Sequence, residues 1–237
     1  MNKCASPKWD KWRKSLEQVK KELDRLYFAK GMFERLNSHK KVANCPNLCF
    51  SLYLNNTYVV YLAMAIRRLT DKRSNAQNIY QLLEDFKKNA CDISIDNYAD
   101  YYFEKIHKNR IENHHYNKGE NKLITQSYLN DLRNEAKKLY ESSLGGKTNK
   151  LLCCDVQKDI NKLKKITLPI ENLSDKYWAH MDKPSNKSSL GSIKFGEAHQ
   201  AFDALVDIFN KYSPLLGILR FEPDDKVLFG GWKSIFR

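Results

Sequence analysis

FGEAHQAFDALVDIFNKYSPLL, residues 195–216, decides the fold. Within it Phe195, Ala198, Phe202, Leu205, Phe209, Tyr212 and Leu216 step by three and four without a break. Side chains at those spacings share one face of an α-helix, whereas a strand would need alternation by two. The same period recurs outward along the chain. Trp12, Leu16, Val19, Leu23 and Leu26 form the inner stripe of a first helix over about residues 7–37, with Ser6 as N-cap and Pro7 at its first position. A second helix is expected over about residues 48–70, apolar on most faces. Its most apolar part, Thr57 to Ile66, is about half the length a membrane span requires. A third helix, about 75–89, is expected to be capped by Ser74 and to turn Ile79, Leu82, Leu83 and Phe86 inward.

A fourth, about 125–142, carries Tyr128, Leu132, Ala136 and Leu139 on one side and stops at Gly145-Gly146. A lysine-rich helix follows over about 150–166. Leu168-Pro169 is expected to break it and restart the chain as a short helix ending near His180, before Pro184 and a serine-rich stretch. Residues 90–125 are the least regular. Asp92 to Asp96 alternates like a very short strand, Tyr98 to Ile111 suits a helix rich in aromatics and bases, and His114 to Gly119 suits an exposed loop. This region is expected to project as an irregular insertion, and 221–237 to form a mixed C-terminal tail. The whole reads as a single all-α domain over 1–237, an antiparallel helical bundle.

Charge narrows the choice of partner. The chain carries 41 Lys+Arg against 28 Asp+Glu, a formal net charge of +13, with excesses in residues 1–41 and 147–165. Such a surface favours polyanions, because Lys and Arg displace the counterions condensed on phosphates; a lysine-rich helix face is equally an ordinary solvated surface. The aromatics Tyr101, Tyr102, Phe103 and Tyr116 lie among His107, His114 and His115. Such a mixture suits stacking on single-stranded RNA, or simply a solvated insertion.

No metal or cofactor is expected. Cys45 and Cys49 have a spacing zinc could use, but no second Cys/His pair stands at a matching distance. Gly145-Gly146-Lys147-Thr148 lacks the upstream glycine and strand of a phosphate-binding loop. Residues 1–27 have no apolar core of the kind a secretory leader needs. The six cysteines (Cys4, Cys45, Cys49, Cys91, Cys153 and Cys154) are therefore expected as free thiols in a reducing cytoplasm.

One segment carries chemistry: Ser174-Asp175-Lys176-Tyr177-Trp178-Ala179-His180-Met181-Asp182. It resembles the signature of the HEPN superfamily, in which an Arg and a polar residue precede a His. The polar pair Asp175-Lys176, the aromatic pair Tyr177-Trp178, then Ala179-His180 and Asp182, follow that pattern in order. Tyr58 to Asp71, ending in Arg68-Leu69-Thr70-Asp71, is similar to the second helix of the abortive-infection branch, the U-type phage-resistance proteins. Phe195 to His199 onward is similar to that branch's C-terminal helix. The three pieces cover about a third of the chain and stand in the family's order. Ser174 occupies the family's arginine position, and no arginine lies between Lys150 and Arg220.

The resemblance implies a cytoplasmic homodimer of a phage-defence or toxin–antitoxin system, with RNA or a nucleotide as ligand and an antitoxin or defence protein as partner. Active members resemble metal-independent endoribonucleases. On that pattern His180 is the acid/base, Asp175, Lys176 and Asp182 complete the catalytic string, and Arg67, Arg68, Ser174 and Tyr177 meet RNA phosphate. A guanidinium stabilises charge developing on phosphate oxygens; serine brings one neutral hydrogen bond. Lys176, one turn before His180, and Arg67 or Arg68 are candidate substitutes, as is a cation from a partner chain. Three functions stay open: an RNA- or nucleotide-binding protein with a degenerate motif, an active endoribonuclease using a substitute cation, and a structural protein-interaction module. His180 itself has a plainer reading, a ring at a helix end bonded to a carbonyl.

Overall fold

The structure, a computed structural model, describes residues 6–38, 48–73, 78–102, 126–144, 151–179 and 195–223; of 6–7, 48–52, 126–129, 132, 173–179 and 195 it describes the backbone alone. Seven α-helices and no strand occur among them: α1 (Ser6–Ser38), α2 (Leu48–Thr70), α3 (Ile79–Lys88), α4 (Ile95–Tyr102), α5 (Gln126–Ser143), α6 (Cys153–Ala179) and α7 (Phe195–Tyr212). No helix among the described residues is long and apolar enough to cross a membrane.

The first helix forms where the stripe predicts. Trp12, Leu16, Val19, Leu23 and Leu26 are all buried, joined by Trp9. Burying a side chain of this size contributes about 1.5–3 kcal/mol each, so the stripe outweighs the helix's solvent-side ion pairs Arg13–Glu17 and Lys20–Asp24, worth about 0.3–0.5 kcal/mol each. α1 lies antiparallel to α2, since Glu22 meets Arg68 while Phe33 stacks on Tyr58 with ring centroids 4.0 Å apart. It lies antiparallel to α3 as well: Lys8 donates to Asn89 at 2.7 Å and Lys11 to Asp85 at 3.0 Å. α6 packs against α2, α3 and α7. Its run against α7 is antiparallel, with Lys211 and Tyr212 donating to Asp159 at 2.6 and 2.7 Å and Lys162 to Asp207 at 3.4 Å.

Asn78, rather than Ser74, caps the third helix. Its Oδ1 accepts from the Gln81 N–H at 3.0 Å, and its Nδ2 donates to the carbonyls of Arg68 and Asp71 at 3.1 and 2.8 Å. One buried amide thus closes α2 and opens α3. Residue 74 itself lies outside the described residues.

Two expectations change. Residues 90–102 do not project. Ala90–Asp92 is a short 3-10 turn and the expected strand at 92–96 is absent, because α4 begins at Ile95. Ile93, Ile95, Tyr98, Ala99, Tyr101 and Tyr102 are buried, and Trp9 stacks on Tyr101 at 5.0 Å. Tyr140 of α5 and the Leu151 N–H both donate to the Ile93 carbonyl, at 2.6 and 3.1 Å. Burial pushes the Tyr140 phenol up to about 12. The rest of the expected insertion, 103–125, lies outside the described residues.

Pro169 does not break α6, which runs unbroken from Cys153 to Ala179. Proline removes one N–H donor and crowds the preceding turn, but here Ile160, Leu163, Thr167 and Ile170 are buried on both sides of it while Pro169 is exposed. Packing holds the helix across the proline. The Thr167 hydroxyl also engages the Leu163 carbonyl at 3.0 Å and Glu171 at 3.2 Å. Pro169→Ala is expected to raise stability by about 1–3 kcal/mol; an unchanged or lowered urea midpoint would show that α6 is built around the proline.

Candidate functional site

Ser174, Asp175, Lys176, Tyr177 and Trp178 lie in the last two turns of α6; His180 and Asp182 lie outside the described residues. Helical phase separates the motif positions. Val156, Ile160, Leu163, Thr167 and Ile170 form the buried row of α6, stepping by four and three, and position 174 is the next step of that row. Lys158, Lys162, Lys165 and Asn172 are exposed on the opposite side, and position 176 is the next step there. Positions 174 and 176 therefore stand about 160° apart around the axis. A lysine at 176 does not stand where an arginine at 174 would.

The end of α2 approaches the same region. Lys72 donates to Glu171 at 2.7 Å, three residues ahead of Ser174. The turn carrying Arg67 and Arg68 precedes Lys72 directly. Arg68 is exposed and directed to α1, where its Nη2 donates to Glu22 at 3.4 Å. Arg67 is half-buried and adds to the field that, behind the Arg73 hydrogen bond, lowers the Asp71 carboxyl below its ordinary range. Each of the cations Arg68 and Lys72 already has a carboxylate partner. Among the described residues no group of His, Cys, Asp or Glu could hold a metal ion, and Cys45 and Cys49 fall outside the side chains described. Cys91, Cys153 and Cys154 are free and exposed.

A second polar cluster carries no sequence signal. The Tyr58 hydroxyl and His199 Nε2 are 2.8 Å apart, although 141 residues separate them. Lys30 of α1 reaches Asp203 at 3.8 Å and sits over the Phe202 ring. Burial, then Lys30, holds the His199 ring below its ordinary pKa, against the opposing pull of Glu34 and Asp203. Burial, then Glu34, raises the Tyr58 phenol. A neutral ring and a protonated phenol suit a Tyr58 O–H donating to an unprotonated Nε2. This cluster occupies the flank of α7 that faces α1 and α2. Asp207 and Lys211 mark the flank that faces α6, and the Tyr58–His199 pair pins α2 to α7.

The sign of its pH dependence follows. An unfolded histidine titrates near about 6.5, and the folded ring titrates lower. The unfolded chain therefore takes up its proton first on acidification. The stability His199 confers is whole above about pH 6.5 and is lost as pH falls from there towards the folded value. Thermal melts from about pH 8 to about pH 5 should show a steeper fall for the wild type than for His199→Gln; parallel curves would remove His199 from the acid response.

Against this geometry, the AbiU2 family model, HEPN AbiU2, matches residues 8–224. The chain belongs to that family. The match runs from the first turns of α1 past α7, so the abortive-infection branch of the HEPN proteins extends over all seven helices and not only over the three segments that suggested it. Among curated proteins and among solved structures the chain matches none.

Proposed function

We propose that this AbiU2-family chain binds RNA or a nucleotide in a phage-defence role, with a catalytic motif that has lost its cleaving power. The reading is carried by Ser174, a serine where the resemblance places the family's arginine, in a chain whose net charge is +13. The surroundings of the motif support it. Position 176 is on the opposite side of α6 from position 174, so Lys176 does not replace the missing cation. His180 then binds phosphate or a base edge without a charge-stabilising partner. The proposal includes the homodimer and the cognate defence partner that the family resemblance implies.

The test is incubation of a mixed RNA pool with the purified protein in EDTA, beside His180→Ala. The expected result is no cleavage by either, with RNA retained by the wild type and released as salt rises, because each phosphate contact displaces counterions. Cleavage by the wild type that is lost in His180→Ala would overturn the degenerate motif and establish a metal-independent endoribonuclease with a substitute cation. Neither cleavage nor retention would make the chain a structural interaction module.

A further inference from the structure

We propose that the outer face of α6 is the track on which a single RNA strand lies as it approaches the motif; this rests on the RNA-binding reading above and names its surface. Lys158, Lys162 and Lys165 are exposed and step by four and three, so they form one straight row along the helix. The row is opposite the buried side of α6 and continues through exposed Asn172 towards position 176 in the motif. At about 1.5 Å per residue, Lys158, Lys162 and Lys165 are spread over roughly two turns, at intervals of about 6 and about 4.5 Å along the axis. A row one cation wide matches one phosphate backbone rather than the two of a duplex.

The carboxylates beside the row do not close it. Lys158 meets Asp155 at 2.8 Å and Lys162 meets Asp207 at 3.4 Å, and both pairs are exposed, where an ion pair is weak and yields readily to a polyanion. Lys165 makes no ion pair among the described residues. Two further acids of α6 already have partners: Asp159 accepts from Lys211 and Tyr212, and Glu171 from Lys72 and Thr167. The basic residues of α1 lie on another helix and serve as the internal comparison, since Lys14, Lys21 and Arg25 are equally exposed and carry the same charge.

The test compares wild type, K158A/K162A/K165A and K14A/K21A/R25A for binding to a labelled single-stranded RNA of mixed sequence across a salt series. Alanine is favourable in an exposed helix, so both variants retain the fold, as circular dichroism checks. For three phosphate contacts on a single strand the slope of log K against log salt should flatten by about 2 in the α6 variant and stay unchanged in the α1 variant. Equal flattening in both, or flattening only in the α1 variant, overturns the track while the RNA-binding reading stands. Competition by duplex RNA as effective as by single strand overturns the single-strand assignment. Absence of salt-dependent binding in the wild type removes the binding reading and the track with it.

Discussion

Ser174→Arg is expected to turn a protein that retains RNA without cutting it into one that cuts it, with cleavage rising by about 10²–10³-fold over the wild-type background. The size follows from what a charge-stabilising donor contributes at a phosphate whose oxygens gain charge in the transition state. Position 174 continues the inward row of α6, whereas position 176 is on the outward row, so restoring the cation two residues later should not have the same effect. Ser174→Arg with His180→Ala should be silent, because the acid/base is then missing. RNA cleavage in EDTA by the two variants decides the matter. An inert single variant would show that the loss of activity reaches beyond the arginine, and an active double variant would remove His180 from the chemistry.

Trp9→Ala is expected to cost about 3–5 kcal/mol, a large share of the roughly 5–15 kcal/mol by which a domain is stable. Trp9 is only 2% exposed. It packs edge-on against Trp12 at 5.4 Å, stacks on Tyr101 at 5.0 Å and lies 6.2 Å from Tyr98. Removing it empties the joint between α1 and α4, which is too walled in by aromatic rings to collapse. Urea unfolding measures the loss. A change below about 1 kcal/mol would mean that α4 does not belong to the core after all.

That joint shows where sequence reading fell short. α7 was legible because its apolar residues repeat at the helical period over five turns, and α2 because a long run is apolar on most faces; the expected bounds of α2, about 48–70, are those observed. α4 was legible only in part: a helix was expected from Tyr98, but its start at Ile95 and its burial were not, because its eight residues, IDNYADYY, are too few for the period to be counted and its aromatics sit among charges. The distant Trp9, stacked on Tyr101, is a contact that no local spacing announces. Pro169 misled for the opposite reason: a local rule about backbone donors was overruled by the buried row on both sides of it. The motif could be read as a string of residue types, since its elements are contiguous. Which of positions 174 and 176 continues the buried row follows only once α6 is known to run unbroken through them. The Tyr58–His199 pair is a tertiary fact, and no spacing along the chain announces it.

Asn78 has a consequence for how the molecule comes apart. Its side chain accepts from the first turn of α3 and donates to carbonyls at the end of α2, so neither helix end can fray without stripping partners from the other. Unfolding that begins at this corner must therefore release both helices in one cooperative step, which makes α2 and α3 a single melting unit despite the break between them.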